Sequence, residues 1–360
     1  MDKHRIIITS TNLDTNINVS GISTVTSFLI RNNIKYKYFH FELGKYDKEN
    51  RGVEWFFRII IAWIKWGFIM IKENDILVHF NFALDKRSII RDSPLILFAK
   101  LLNKRMVIHL HGGEYLESEN IPAWIKKLLK LILSGKAPKI VLSPIEKEIV
   151  KMKFNCLNIE VLPNCIDLTG AKNFIRINSG DPQLKLLFIG RIVLRKGIEY
   201  IFQALLILKK KEIPFKFILA GTGPDEDIYV KKFSELLQSN FEFKGIVSGD
   251  NKTELLKECD VFLLPSIYGE GLPISLLECM SYSLVPIVTD NGSMKYVVKD
   301  GENGILVNKE SSVEIADAIV NLSTKEDLLQ KLGRYASKSV FDNFDPAVYI
   351  DKLNEIYDKA

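Results

Sequence analysis

Cysteine is scarce in this sequence. Only Cys156, Cys165, Cys259 and Cys279 occur, and no two of them form a C-x-x-C pair. That excludes a zinc framework and a disulfide scaffold as organising devices, and it fits a reducing cytoplasm. A dominant charge is missing too: a net charge of +5 at pH 7 is too small to point to a nucleic-acid partner. No secretory leader is read, because Met1, Asp2, Lys3 and His4 run directly into an apolar strand at residues 5–8. Nor is there a long unbroken hydrophobic run. The nearest, residues 53–71 (VEWFFRIIIAWIKWGFIMI), carries Arg58 and Lys65, which would put two charges inside the hydrocarbon of a bilayer. The expectation there is an amphipathic helix, either packed on a sheet or also reaching lipid through its tryptophans.

At 360 residues, 47% hydrophobic and 26% charged, the chain has the size of two domains and the composition of a soluble α/β protein. Its most informative stretch is residues 266–307, SIYGEGLPISLLECMSYSLVPIVTDNGSMKYVVKDGENGILV. Just before it, Cys259, Asp260, Val261, Phe262, Leu263 and Leu264 form a short, largely apolar run stopped by Pro265, which reads as a buried parallel strand ending at a loop. Glu270 lies in that loop between two glycines. Pro273 suits the first position of a helix, and Ile274, Leu276, Leu277 and Met280 continue with helical spacing. Glu278 then falls more than one turn inside the helix. Free amides and the positive dipole end at such a helix start favour anions or sugar hydroxyls. Val285 to Thr289 reads as the next strand, followed by the loop Asp290, Asn291, Gly292, Ser293. Two consecutive strand ends thus meet at one crevice, where open parallel sheets bind ligands.

The whole pattern, E-x₇-E at Glu270 and Glu278 followed by V-P-I-V-T and D-G-E-N-G-I-L-V, resembles the signature of the retaining nucleotide-sugar glycosyltransferases of family 4. The resemblance implies an α/β fold of the GT-B type, two Rossmann-like domains with parallel sheets facing each other across a cleft. On that reading residues 1–168 are the acceptor-binding domain, 169–183 the linker and 184–340 the nucleotide-sugar-binding domain, with 341–360 a final helix returning to the first domain. By carry-over, Glu278 holds the ribose hydroxyls and Glu270 a sugar hydroxyl. The backbone of Gly271, Leu272 and Pro273 lies beside the sugar and diphosphate.

Other residues join this site on their own spacing. In G-R-x₄-K-G, Gly190, Arg191 and Lys196 place two cations at a strand end beside glycines, and such a pair can neutralise a diphosphate leaving group without a metal; the family uses an equivalent pair. His111 ends a strand and precedes Gly112 and Gly113, where a ligand can approach the backbone. It matches the family histidine that contacts the donor sugar, whereas His109 reads as structural. Gly21, after the first strand, is either a donor-loop residue or a glycine needed only for a turn. Gly223 belongs to G-T-G-P, which lacks the third glycine of the dinucleotide fingerprint, so a nicotinamide cofactor is not expected. Ile246 stands where the family's strand and loop hold the nucleotide base.

The expected reaction is transfer of a sugar from a UDP- or GDP-sugar to a hydroxyl acceptor with retention, the nucleotide sugar being a substrate and no cofactor or metal being required. Residues 121–134 place Trp124, Leu128, Leu131 and Ile132 against Lys126, Lys127 and Lys130. Alone this is a solvated lysine face; with residues 53–71 it suggests an anionic membrane surface as partner. A glycan or lipid-linked glycan acceptor follows by analogy, on a protein that is cytoplasmic and peripheral on the inner face of the membrane. Cys165 in V-L-P-N-C-I-D, Ser283 before V-P-I-V-T and Lys295 depart from the family pattern. A sugar-nucleotide epimerase of the same architecture and a catalytically silent binding subunit remain as alternatives.

Overall fold

Strand and helix alternate along the chain in the computed structural model, which describes residues 4–15, 17–47, 49, 52–176 and 183–360. Met1–Lys3 and residues 177–182 of the expected linker lie outside the described residues. The chain divides into two compact units, the first holding Met1–Asn164, Gly269–Leu272 and Pro346–Ala360, the second Cys165–Tyr268 and Pro273–Asp345.

The first unit opens with β1 (Arg5–Ser10), α1 (Gly21–Asn32), β2 (Lys37–Glu42), α2 (Val53–Lys72), β3 (Ile76–Phe82) and α3 (Lys86–Leu101). Then come β4 (Met106–Leu110), α4 (Glu114–Glu117), α5 (Ala123–Leu133), β5 (Lys139–Val141), α6 (Pro144–Phe154) and β6 (Ile159–Val161). All six strands pair in parallel in the order β2-β1-β3-β4-β5-β6. The central strands are largely buried, β3 in all but Asn81 and β4 in five consecutive residues, as a sheet covered on both faces requires.

Residues 53–71 are helical, as their spacing predicts. Ile59, Trp66 and Met70 of α2 turn inward, and Trp66 meets Phe41 and Phe80 edge-on at 4.9 and 5.1 Å. Its indole N–H donates to the Leu95 carbonyl at 3.1 Å. Arg58 is neutralised by Glu49 at 2.5 Å and lies over the Tyr46 ring. Helix α3 carries Pro94 in its interior.

The second unit runs β7 (Leu184–Ile189), a 3₁₀ turn at Leu194–Lys196, α7 (Ile198–Lys210), β8 (Phe215–Ala220), α8 (Glu226–Leu237), β9 (Phe241–Gly245), α9 (Gly249–Glu258) and β10 (Val261–Leu264). It continues through α10 (Ile274–Ser281), β11 (Val285–Thr289), α11 (Met294–Val297), β12 (Ile305–Val307), α12 (Ser312–Thr324) and α13 (Glu326–Asn343). Its strand order is β12-β11-β10-β7-β8-β9. From β7 the chain builds outward through β8 and β9, then restarts on the other side at β10, so the topological switch lies between β7 and β10.

The last helix, α14 (Pro346–Asp358), belongs to the first unit. It starts at Pro346 rather than near residue 341, because Phe341 still continues α13. Tyr36 donates to Asp358 at 2.6 Å and Asn33 to Asn354 at 2.8 Å, fixing α14 beside β2 and α1. The four cysteines are buried and unbridged.

Candidate active site

In the first unit, His111 follows the last residue of β4. Its Nε2 lies 2.7 Å from Asn81 Oδ1 on the neighbouring strand. Behind it, the His109 ring packs at a tilt against the His111 ring with centroids 4.1 Å apart, and His109 in turn shares a hydrogen bond with His79. Burial holds His79 down to about 3, and burial with the nearby His79 does the same to His111. Both are neutral at ordinary pH. Gly112 takes a left-handed backbone at φ +68, and a Cβ on it would overlap the Gly271 backbone. That approach, with the Asn164 amide donating 2.7 Å to the Leu272 carbonyl, is why the loop carrying Glu270 groups with the first unit. Glu270 itself is buried. Gly21 is the first residue of α1, preceded by Ser20 as N-cap, and it does not adopt the left-handed backbone that a turn glycine would need.

In the second unit the loops after β7 and β8 are laced together. Gly190 N–H donates to the Ala220 carbonyl and Ile192 N–H to the Thr222 carbonyl, at 3.1 and 3.0 Å. Cβ atoms on Gly221 and Gly223 would overlap the carbonyls of Gly190 and Ile192, so both positions need glycine for backbone approach rather than for a nucleotide fingerprint. Asp225 accepts from Leu194 N–H at 2.8 Å, fixing the turn between Arg191 and Lys196. Ile267 N–H donates 2.8 Å to the Arg195 carbonyl, tying this turn to the loop after β10. The two cations therefore sit at the switch point between β7 and β10.

Glu278 is the fifth residue of α10, with Pro273 as N-cap in an extended conformation rather than as the first helical residue. The Lys252 ammonium on α9 donates to Glu278 Oε1 at 2.6 Å. Ile246 follows β9, half-buried. Asn291 Nδ2 and Thr289 Oγ1 both donate to the Ser266 carbonyl, at 3.1 and 2.5 Å, holding the β10 and β11 loops side by side. The Asn291 side-chain oxygen is buried without a hydrogen-bond partner. Lys295 pairs with Asp290 at 3.0 Å. Among the described residues no group of three His, Cys, Asp or Glu side chains is arranged to hold a metal ion.

Sequence reasoning missed Asn81 and Lys252 and read Asn291 only as part of the loop after β11. Asn81 had a weak signal as a polar residue near a strand end; Lys252, in a charged helix, had none.

Two Rossmann-like units, each with a six-stranded parallel sheet, define the GT-B class. Residues 171–339 match the family model described as glycosyl transferases group 1, just under half of the chain. It is 28% identical over 279 residues to an uncharacterised glycosyltransferase of Methanocaldococcus jannaschii, covering 73% of this chain and 71% of that protein. Against the UDP-Gal:alpha-D-GlcNAc-diphosphoundecaprenol alpha-1,3-galactosyltransferase of Escherichia coli it is 26% identical, covering 56% of this chain and 54% of the relative. Two further relatives are matched over 59% and 44% of their own length. Among solved structures, sucrose-phosphate synthase from Thermosynechococcus elongatus has a TM-score of 0.77 at 16% identity, covering 99% of this chain and 98% of that one. Anabaena HepE in complex with UDP and glucose has a TM-score of 0.71 at 16% identity, covering 99% and 100%.

Proposed function

We propose that this protein transfers a sugar from a UDP- or GDP-sugar to a hydroxyl of a lipid-linked glycan, with retention of configuration and without a divalent metal. The observation that carries this reading is the arrangement at the switch point of the second sheet. Arg191 and Lys196 follow β7, and Glu278 lies in the helix after the adjoining strand β10. The cations would stabilise the diphosphate as it departs, Glu278 would accept from the ribose hydroxyls, and Gly190, Gly223 and Ile246 would shape the nucleotide pocket. Glu270 and the Gly271, Leu272 and Pro273 backbone would line the sugar. His111 would contact it as well, with Gly21 near the phosphates.

The acceptor class draws support from the Escherichia coli relative, whose name specifies a diphosphoundecaprenol acceptor. It also draws on α2 and α5. No helix among the described residues is long and apolar enough to cross a membrane. Yet Phe57, Ile61, Ile64, Phe68 and Ile71 of α2 are exposed at spacings of three and four, one stripe of the helix. On α5, Trp124 and Leu131 are exposed beside Lys126, Lys127 and Lys130. Such faces suit peripheral attachment to the inner, anionic face of the cytoplasmic membrane.

The deciding experiment is thermal melting with UDP, GDP, ADP, NAD and nucleotide sugars, followed by product analysis with a lipid-linked acceptor. A nucleoside diphosphate at a hundred times its Kd adds about 2.7 kcal/mol of stability. Stabilisation by one base and its sugars, lost in Glu278→Ala, with sugar appearing on the acceptor, is expected. Stabilisation by NAD alone would overturn the reading, and interconversion of the sugar without transfer would make the protein an epimerase.

A further inference from the structure

Five polar side chains behind the candidate sugar site fix the chemistry of His111. His79 and Asn81 alternate along β3, and His109 of the adjacent strand β4 and His111, just past its end, are likewise two residues apart, so all four project to one face of the sheet. Thr26 of α1 and Tyr357 of α14 meet them there.

The orientation of the Asn81 amide follows from its partners. One terminal atom lies 2.7 Å from the Thr9 carbonyl oxygen and 3.2 Å from Thr26 Oγ1. A carbonyl oxygen can only accept, so that atom is the amide nitrogen. The other atom, 2.7 Å from His111 Nε2, is then the amide oxygen, itself only an acceptor. His111 must therefore carry its hydrogen on Nε2. A neutral imidazole has one N–H, so Nδ1 keeps a bare lone pair, and no hydrogen bond to it is formed among the described residues. The tilted His109 ring packs against it with centroids 4.1 Å apart, and His109 is itself bonded to His79, whose Nδ1 lies 2.6 Å from the Tyr357 hydroxyl.

We propose that Asn81 is a positioning residue for His111, locking it as the Nε2–H tautomer so that it meets a hydroxyl of the donor sugar as a hydrogen-bond acceptor through Nδ1. His111 is thus neither an imidazolium for the phosphates nor a proton donor to the sugar. The inference rests on reading His111 as a sugar-contacting residue, and its test has a readout independent of activity.

Asn81→Asp replaces the amide oxygen by a carboxylate at the same place. An opposite charge at that distance favours the protonated ring and shifts its titration upward by about 1 to 3 pH units. His79, His109 and, beyond them, Tyr357 are the titratable groups that bear on the ring from the other elements. The experiment is a long-range proton–nitrogen correlation spectrum of full-length protein labelled at histidine nitrogens, the His111 signals being assigned by their loss in His111→Gln. Wild type is expected to show a protonated Nε2 and a bare Nδ1 throughout about pH 5 to about pH 8. In Asn81→Asp the same signals should titrate at the higher midpoint, and sugar turnover should gain an acid limb that recovers above it. A wild-type His111 protonated on Nδ1 overturns the inference, whatever the protein's activity. So does an Asn81→Asp ring that titrates like wild type. If no nucleotide sugar binds, the functional reading fails, while the tautomer spectrum still decides this one.

Discussion

Lys252 Nζ lies 2.6 Å from Glu278 Oε1, so the carboxylate proposed for the ribose is already paired with a cation from the preceding helix. Both side chains are partly buried, at 27% and 18% exposed. Such a pair contributes about 1 kcal/mol, and here its effect is to hold one carboxylate oxygen while the other stays open to hydroxyls. Lys252→Ala should weaken nucleoside-diphosphate binding by about fivefold, measured calorimetrically, without changing the preferred base. An unchanged or tighter Kd would show that Lys252 competes with the ribose instead of orienting its partner.

Gly112 governs the approach of the loop that carries Glu270. Alanine there is strained at φ +68 and overlaps the Gly271 backbone. Left-handed strain alone costs about 1 to 3 kcal/mol, and the overlap adds to it. Gly112→Ala should therefore lower Tm by several degrees and impair turnover together. Gly52 has open space around its Cβ direction, so Gly52→Ala is the control and should leave Tm in place. Equal melting of the two variants would refute the tight approach.

The apolar stripe of α2 is testable because its side chains are outside the core. Ile61 and Phe68 are 51% and 72% exposed. If they enter lipid, replacing each by glutamine removes about 1.5 to 3 kcal/mol of transfer energy, at least tenfold in partitioning per residue. Ile61→Gln with Phe68→Gln should abolish flotation with anionic vesicles while Tm stays unchanged. Undiminished flotation would move the contact elsewhere, and a wild type that never floats would remove the membrane from the proposal.

How much of this was legible beforehand depends on the distance over which each signal acts. Strand β10 and helix α10 are readable because VFLL, the Pro265 stop and the helical spacing after Pro273 are local. Arg191, Lys196 and Glu278 are readable because each sits in a short pattern at a strand end or helix start. Asn81, with only a weak signal, and Lys252, with none, were missed for another reason. They reach His111 and Glu278 across 30 and 26 residues of chain, and the parallel strands and helices that bring each pair together are products of folding.

The three neighbouring histidines, His79, His109 and His111, also set how stability depends on pH. In the unfolded chain each takes up a proton near about 6.5. Folded, burial keeps His79 and His111 neutral down to about 3, and burial with the neighbouring His111 and His79 holds His109 well below its ordinary value. Between those limits the unfolded state binds more protons than the folded one, so acid favours unfolding. The stability is complete above about pH 6.5 and is lost as pH falls toward about 3, by up to about 1.4 kcal/mol per pH unit for each histidine. Urea midpoints of the wild type should drop steeply across that window. His79→Gln keeps a polar side chain but cannot be protonated, so its midpoint should fall less steeply, by one histidine's share, even if its stability at neutral pH is lower. A variant that loses stability with the same slope as wild type would mean that His79 is already charged in the folded protein, contrary to its full burial between Tyr357 and His109.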